Sequence, residues 1–272
     1  MQKNLAEKLT ELMAEAEIVD LSHLIAEDLP AAWPTHMPLQ IRVWNYYTEQ
    51  AGMHYVQSKA TFQTRWMTMD EHVGTHFDAP PHFIPPSNSG LPNASDWGDV
   101  SGDKIPVEQM IGPAAVIDCR ELDDTTGNGV SPLVEVEFVR DWEKRHGEIK
   151  AGDIVVFYSG WDKHYVKGPA GDHFGATVIQ GTTPAWVAPS LGTINYLFDK
   201  GIRCLGTDGA SVGAAHNGVE THVGGLGKGM VYIEALTNLA KLPPTGSFLV
   251  FLPLKIKGST GAPGRAFAVV PK

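Results

Sequence analysis

The 272-residue sequence predicts an α/β chain with a mixed sheet. Three observations carry that expectation. Short apolar runs bounded by turn residues outnumber stretches with helical periodicity. The helical stretches are scattered along the chain. Both kinds of segment are evenly spread, which favours one domain although the length alone would admit two. The pattern leaves an α+β arrangement open and does not select a topology.

Leu5, Leu9, Leu12, Met13 and Ala16 recur at helical spacing and predict an amphipathic helix over residues 3–17. Residues 1–17 then form a helical extension ahead of a domain spanning 18–272. The apolar stripe of that helix is a docking face suited to a second subunit, in a homodimer or higher homo-oligomer. Ile18 to Leu24 reads as a strand. Residues 26–60 hold Pro30, Pro34 and Pro38 with Trp33, Trp44, Tyr46 and Tyr47, and predict a long loop plus a hairpin with exposed aromatics. Thr61 to Met69 is a strand leading into the histidine-rich loop. Residues 84–104 are rich in Pro, Ser, Gly and Asn and should be irregular. Ala114 to Cys119 is a short buried strand. Ser131 and Pro132 suit the N-cap and first position of a helix running to about Arg145, which Gly147 ends. Ile154 to Tyr158 is a second buried strand. Pro189 to Lys200 reads as a helix capped by Gly201, followed by a strand over Ile202 to Gly206. Met230 to Leu236, Phe248 to Leu254 and Arg265 to Val270 close the chain as strands, the first also compatible with helix.

Several function classes are excluded. Net charge is −10 with no basic cluster, which argues against a nucleic-acid partner. No apolar run reaches membrane-spanning length. Residues 1–17 carry Glu7, Glu11, Glu15 and Glu17 and lack the apolar core of a secretory signal. Cys119 and Cys204 offer no disulfide framework. A cytoplasmic location is expected.

The densest chemistry lies between His72 and His82, where three histidines and Asp78 share eleven residues. A lone histidine is usually a surface or core residue. Four candidate ligands interleaved with Gly and Pro point to a divalent metal instead, since imidazole and carboxylate suit such ions. Neither cysteine has a nearby cysteine partner, so the pattern is not a zinc finger. Gly74, Pro80 and Pro81 oppose a helix here. A strand end is expected, with a glycine-allowed bend at Val73-Gly74-Thr75 that brings His72 round to His76 and Asp78. These two residues, at i and i+2, share one side of extended chain. His82 is either a fourth ligand or a free imidazole beside the metal.

The motif His72-x-Gly74-Thr75-His76-x-Asp78-x-Pro80-x-His82 resembles the signature of the cyclase-like metal hydrolases, which include bacterial kynurenine formamidases and isatin hydrolases. Asp20-Leu21-Ser22-His23 with Trp33-Pro34, Gly152 to Val156 with Ser159-Gly160-Trp161, Gly206-Thr207-Asp208, and Leu252-Pro253-Leu254-Lys255 are similar to further parts of that family. The likeness runs from about residue 18 to the C-terminus. It implies a swivelling β/β/α architecture. It also implies that His72, His76 and Asp78 bind Mn2+ or Zn2+, with His82 as general acid/base. His222 and Glu234 lie twelve residues apart, as do a later His and Glu of the formamidases, and would bind a second ion or support the first by hydrogen bonding. One or two ions are therefore expected. The substrate implied is a small aromatic amide, a cyclic amide such as isatin or, in second place, N-formylkynurenine. Trp33, Phe77, Trp97 and His216 are the candidate pocket residues, whereas His36, His54, His164 and His173 lack a motif and suit the surface or a pocket rim. A purely structural metal and a lyase are rival readings. The absence of cysteine and the spare histidine disfavour the first.

Overall fold

The computed structural model describes residues 4–47 and 62–272. Helix α1 (Leu5–Glu15) opens on a capping box, in which the Asn4 side chain accepts the Glu7 N–H and the Glu7 carboxylate accepts the Asn4 N–H. It buries none of its residues, so its apolar stripe stands in solvent. Strand β1 (Ala16–Asp20) follows directly, then a two-stranded ribbon of β2 (Gln40–Tyr46) and β3 (Gln63–Thr68). The remaining elements, in order, are β4 (His76–Asp78), β5 (Ile111–Asp118), β6 (Leu133–Val134), α2 (Val136–His146), β7 (Ile154–Tyr158), α3 (Ala176–Ile179), β8 (Ala188–Pro189), α4 (Leu191–Asp199), β9 (Cys204–Thr207), α5 (Gly218–Leu226), β10 (Val231–Glu234), β11 (Ser247–Pro253) and β12 (Gly261–Pro271).

Eight strands form one mixed sheet in the order β1-β12-β11-β5-β7-β9-β10-β4, and β4 pairs again with β12, closing the sheet into a barrel. Neighbours from β5 to β10 run parallel; the other pairs are antiparallel. The long strand β12 makes this possible, since Gly261–Pro263 pair with β4 while residues further along pair with β1. Strands buried on both faces explain the unbroken apolar runs. Val116 and Val156 point into the barrel with Phe77, Ile233 and Phe251. Their neighbours Ala115, Ile117, Val155 and Phe157 point outward onto Val139, Trp142, Ile194 and Leu197 of α2 and α4. A third apolar group holds Val73, Trp161, Tyr165, Trp186 and Ala210, and its Trp186 lines the site described below.

The mixed α/β sheet and the N-terminal helix match the sequence expectation. Most differences are ones of boundary. The first strand ends at Asp20, and Ser22 makes only an isolated bridge to Leu236. The helix expected from Ser131 starts at Val136, because Leu133–Val134 pair in parallel with Ala188–Pro189 and the Ser131 hydroxyl accepts the Ala215 N–H. Gly147 does end that helix, at φ 102°. Helix α5 was not foreseen: Gly218, Gly224 and Gly225 make it a poor helix by propensity. It forms because Gly225 lets it lie against Tyr232, whose hydroxyl donates to the Thr221 carbonyl. His54 lies outside the described residues.

Candidate metal centre

The site grows from β4. Gly74 adopts φ +61°, the left-handed bend the spacing demands, and its N–H donates to the Ala31 carbonyl. Beyond the bend, His76 and Asp78 share one face of the strand and Phe77 takes the other. Register with β10 sets Glu234 opposite His76 and Tyr232 opposite Asp78, so a second carboxylate reaches the same face. Helix α5 adds His222 from above.

These groups converge on Asp78, which is 1% exposed. Its Oδ1 lies 3.4 Å from His72 Nε2 and 3.5 Å from His76 Nε2; its Oδ2 lies 3.3 Å from His222 Nε2 and 3.9 Å from His82 Nε2. Glu234 spans the far side, with Oε2 3.5 Å from His76 Nε2 and Oε1 3.5 Å from His222 Nε2. The outer ring nitrogens are anchored. His76 Nδ1 bonds the Gly74 carbonyl, His72 Nδ1 bonds Asp70 at 3.1 Å, and His222 Nδ1 bonds the Gly218 carbonyl. In neutral rings this leaves every Nε2 as a lone pair facing the carboxylates.

Both Asp78 oxygens and His72 Nε2 are buried without a hydrogen-bond partner. A buried carboxylate among imidazole lone pairs is costly unless a cation lies between them. The donor set, nitrogen and oxygen without thiolate, fits a divalent ion. His72, Asp78 and His82 form one cluster of metal-holding size and His76, Asp78 and Glu234 another, with Asp78 common to both.

The electrostatics agree. Burial works to raise the Asp78 pKa, but His82, His222, His72 and His76 hold it well below the carboxylate range. Burial alone would lower the His222 pKa, yet the Asp78 and Glu234 carboxylates raise it to about 10. The negative field that favours a proton there favours a metal cation equally. His82 differs. Burial lowers its pKa to about 4 against the pull of Asp78, so the ring is neutral near pH 7 and able to accept a proton.

The family model described as "Putative cyclase" matches residues 19–214, most of the chain. The chain belongs to this cyclase family. An isatin hydrolase from Roseibium aggregatum is 35% identical, covering 96% of this chain and 94% of that protein. A kynurenine formamidase from Maricaulis maris is 27% identical, covering 92% and 97% respectively. Among solved structures, an isatin hydrolase bound to the product analogue thioisatinate superposes with a TM-score of 0.78 at 28% identity, covering 99% of this chain and all of that one. Isatin hydrolase A from Labrenzia aggregata, bound to benzyl benzoate, gives 0.76 at 29% identity, with the same coverage.

In this cyclase-family chain a cavity of about 260 Å³ opens onto the cluster, with His72, His76, His82, His222 and Glu234 in its wall. Trp33, Phe83 and Trp186 supply its aromatic surface, and Phe83 stacks on His222 at 4.1 Å. Of the four candidate pocket residues, only Trp33 lines this cavity. Phe77 points into the barrel against Phe251, since it alternates with two residues that face outward. Trp97 lies over Gly229, away from the cavity. His216 accepts the Ser131 N–H and lines a separate shallow cavity with Glu135 and Glu220. His164 and His173 pack on each other and on Trp161. His36 proves to line the cavity at the cluster, next to Asp70. Asp70, Phe83 and Trp186 escaped the sequence reading. Only Asp70, two residues before His72, carried a local signal.

Proposed function

We propose that this chain is a metal-dependent amidohydrolase that hydrolyses the C–N bond of a small aromatic amide, in first place a cyclic amide of the isatin type. The observation that carries this is Asp78: buried, without hydrogen bonds, and ringed by imidazoles that line an aromatic cavity. The 35%-identical isatin hydrolase supports the substrate class. Arylformamidase activity is the second reading, favoured by the Maricaulis maris relative and by a carboxylate shared between two ligand clusters.

His72, His76 and Asp78 would hold the ion, Mn2+ or Zn2+, while His222 and Glu234 would hold a second or fix the first in place. Bound there, a divalent ion supplies Lewis acidity, polarising the amide carbonyl and lowering the pKa of attacking water. Trp33, Phe83 and Trp186 clamp the substrate ring. His82, neutral and beside Asp78, takes the proton from water and returns it to the leaving nitrogen. An aryl nitrogen leaves more readily than an alkyl one, so a single imidazole suffices. One water is consumed per bond cleaved, which separates this reaction from a lyase by product mass.

The reading extends to assembly and location. The exposed stripe of α1 supports a homodimer or larger homo-oligomer and makes residues 1–17 an extension to a catalytic unit of 18–272. The buried free cysteines Cys119 and Cys204 support a reducing, cytoplasmic setting. Among the described residues no helix is long and apolar enough to cross a membrane.

The test is turnover of isatin and of N-formylkynurenine by purified protein, before and after chelation, with metal content measured. His82→Ala should keep its metal and lose turnover by about 10²–10⁴-fold. Undiminished turnover after chelation, or metal loss in His82→Ala as complete as in His76→Ala, overturns the assignment.

A further inference from the structure

An amide substrate brings a carbonyl and, when the nitrogen is secondary, an N–H. The metal cluster and His82 answer the carbonyl and the leaving-group proton. Something must accept the N–H as the ring enters an otherwise apolar pocket. Among the described residues, of the polar side chains lining the cavity outside the metal cluster, Ser211 is engaged twice, donating to Glu234 Oε1 at 3.0 Å and accepting the Gly213 N–H at 3.0 Å. Trp33 and Trp186 are donors only. His36 remains.

His36 sits in the turn that also presents Trp33, closed by the bond from the His36 N–H to the Trp33 carbonyl. Its Nδ1 is buried 3.2 Å from Asp70 Oδ1, the same oxygen that receives His72 Nδ1 at 3.1 Å and the His72 N–H at 2.9 Å. About a third of the His36 side chain is exposed, and with Nδ1 buried that open part includes the Nε2 side, towards the cavity. Nδ1 makes no aligned hydrogen bond, but a carboxylate oxygen 3.2 Å away favours a proton over a lone pair at Nδ1, and with one proton on the ring the lone pair is then on Nε2. The same carboxylate thus hydrogen-bonds the His72 imidazole and faces the pocket imidazole of His36.

We propose that His36 is a specificity-determining residue: its Nε2 accepts the N–H of a secondary aryl amide, and Asp70 positions it to do so. The chain should therefore prefer amides with a free N–H over N-alkylated analogues. This rests on the amidohydrolase reading above.

The experiment compares kcat/KM for isatin and N-methylisatin, and for formanilide and N-methylformanilide, in wild type, His36→Leu and His36→Gln, each with metal content and thermal midpoint recorded. In wild type the N–H substrates should lead by about tenfold or more, mostly through KM, because the methyl leaves the acceptor unpaired. His36→Leu should bring that ratio to near one with metal content intact, and His36→Gln, which keeps an acceptor at similar reach, should restore part of it. His36 lies in a partly exposed turn, so both variants are expected to fold; should the Leu variant fail to, His36→Phe tests the same loss of acceptor. An unchanged ratio in the variants lacking an acceptor overturns the role of His36 alone. No turnover of any aryl amide by metal-loaded wild type overturns the amidohydrolase reading instead.

Discussion

Replacing Gly74 by alanine tests the link between the bend and the metal cluster. At φ +61° a side chain is strained, at a cost of about 1–2 kcal/mol. The added Cβ would also stand 2.8 Å from Ile25 Cγ1, closer than atoms tolerate, and relieving that overlap costs a further 1–3 kcal/mol, roughly. Together these give about 2–5 kcal/mol, or a fall in thermal midpoint of roughly 5–15 °C for a chain of this size. Urea unfolding of Gly74→Ala, Ile25→Ala and the double variant separates the two parts. Coupling between the sites should recover the overlap and leave the backbone strain. The catalytic effect should exceed the stability effect. The Gly74 carbonyl holds His76 Nδ1 at 2.8 Å and its N–H holds the Ala31 carbonyl at 2.7 Å, so displacement moves both the His76 ring and the loop towards Trp33. A turnover loss of about 10²-fold is expected. If Gly74→Ala unfolds at the wild-type midpoint, or Ile25→Ala brings no relief, this account of the bend is wrong.

Further outcomes follow from the same structure. His23 stacks on Tyr165 at 3.8 Å, and burial, opposed by Asp162, lowers its pKa from 6.5 to about 4. The unfolded chain then binds that proton more tightly, so stability should fall as pH drops from 6.5 towards 4, by up to about 3 kcal/mol. His23→Phe should flatten this stretch of the stability–pH curve, and an unaltered slope refutes the cause. Asp208 accepts the Ser159 N–H, the Ser159 hydroxyl and the Trp161 N–H at 2.9, 2.8 and 2.9 Å. Asp208→Ala strands these donors and should cost about 3–5 kcal/mol in urea unfolding; a loss under 1 kcal/mol would show that they find other partners. Leu9 and Leu12 of α1 are 51% and 62% exposed. Leu9→Glu with Leu12→Glu should lower the mass seen by light scattering without moving the thermal midpoint of the barrel, and an unchanged mass excludes α1 as the interface.

The site was legible where its logic is local. His76 and Asp78 share a strand face by spacing alone, and the bend was announced by a glycine. The same alternation turns Phe77 away, so that error was avoidable from the sequence. Trp97 was not, because its partner Gly229 is distant along the chain. The convergence of His222 and Glu234 on Asp78 depends on a glycine-rich helix held by Tyr232 and on the pairing of β10 with β4, neither of which leaves a periodic trace. The barrel was hidden for a related reason: a closing strand of three residues is too short to show a period.

That short strand has a wider consequence. His76 and Asp78 ride on β4, which is bonded to β10 along one edge and to β12 along the other. Two of the candidate donors therefore sit on the strand that closes the ring, held by backbone pairing along both edges. Closure of the barrel and placement of His76 and Asp78 share one stretch of chain, so a substitution that disturbs one is expected to disturb the other.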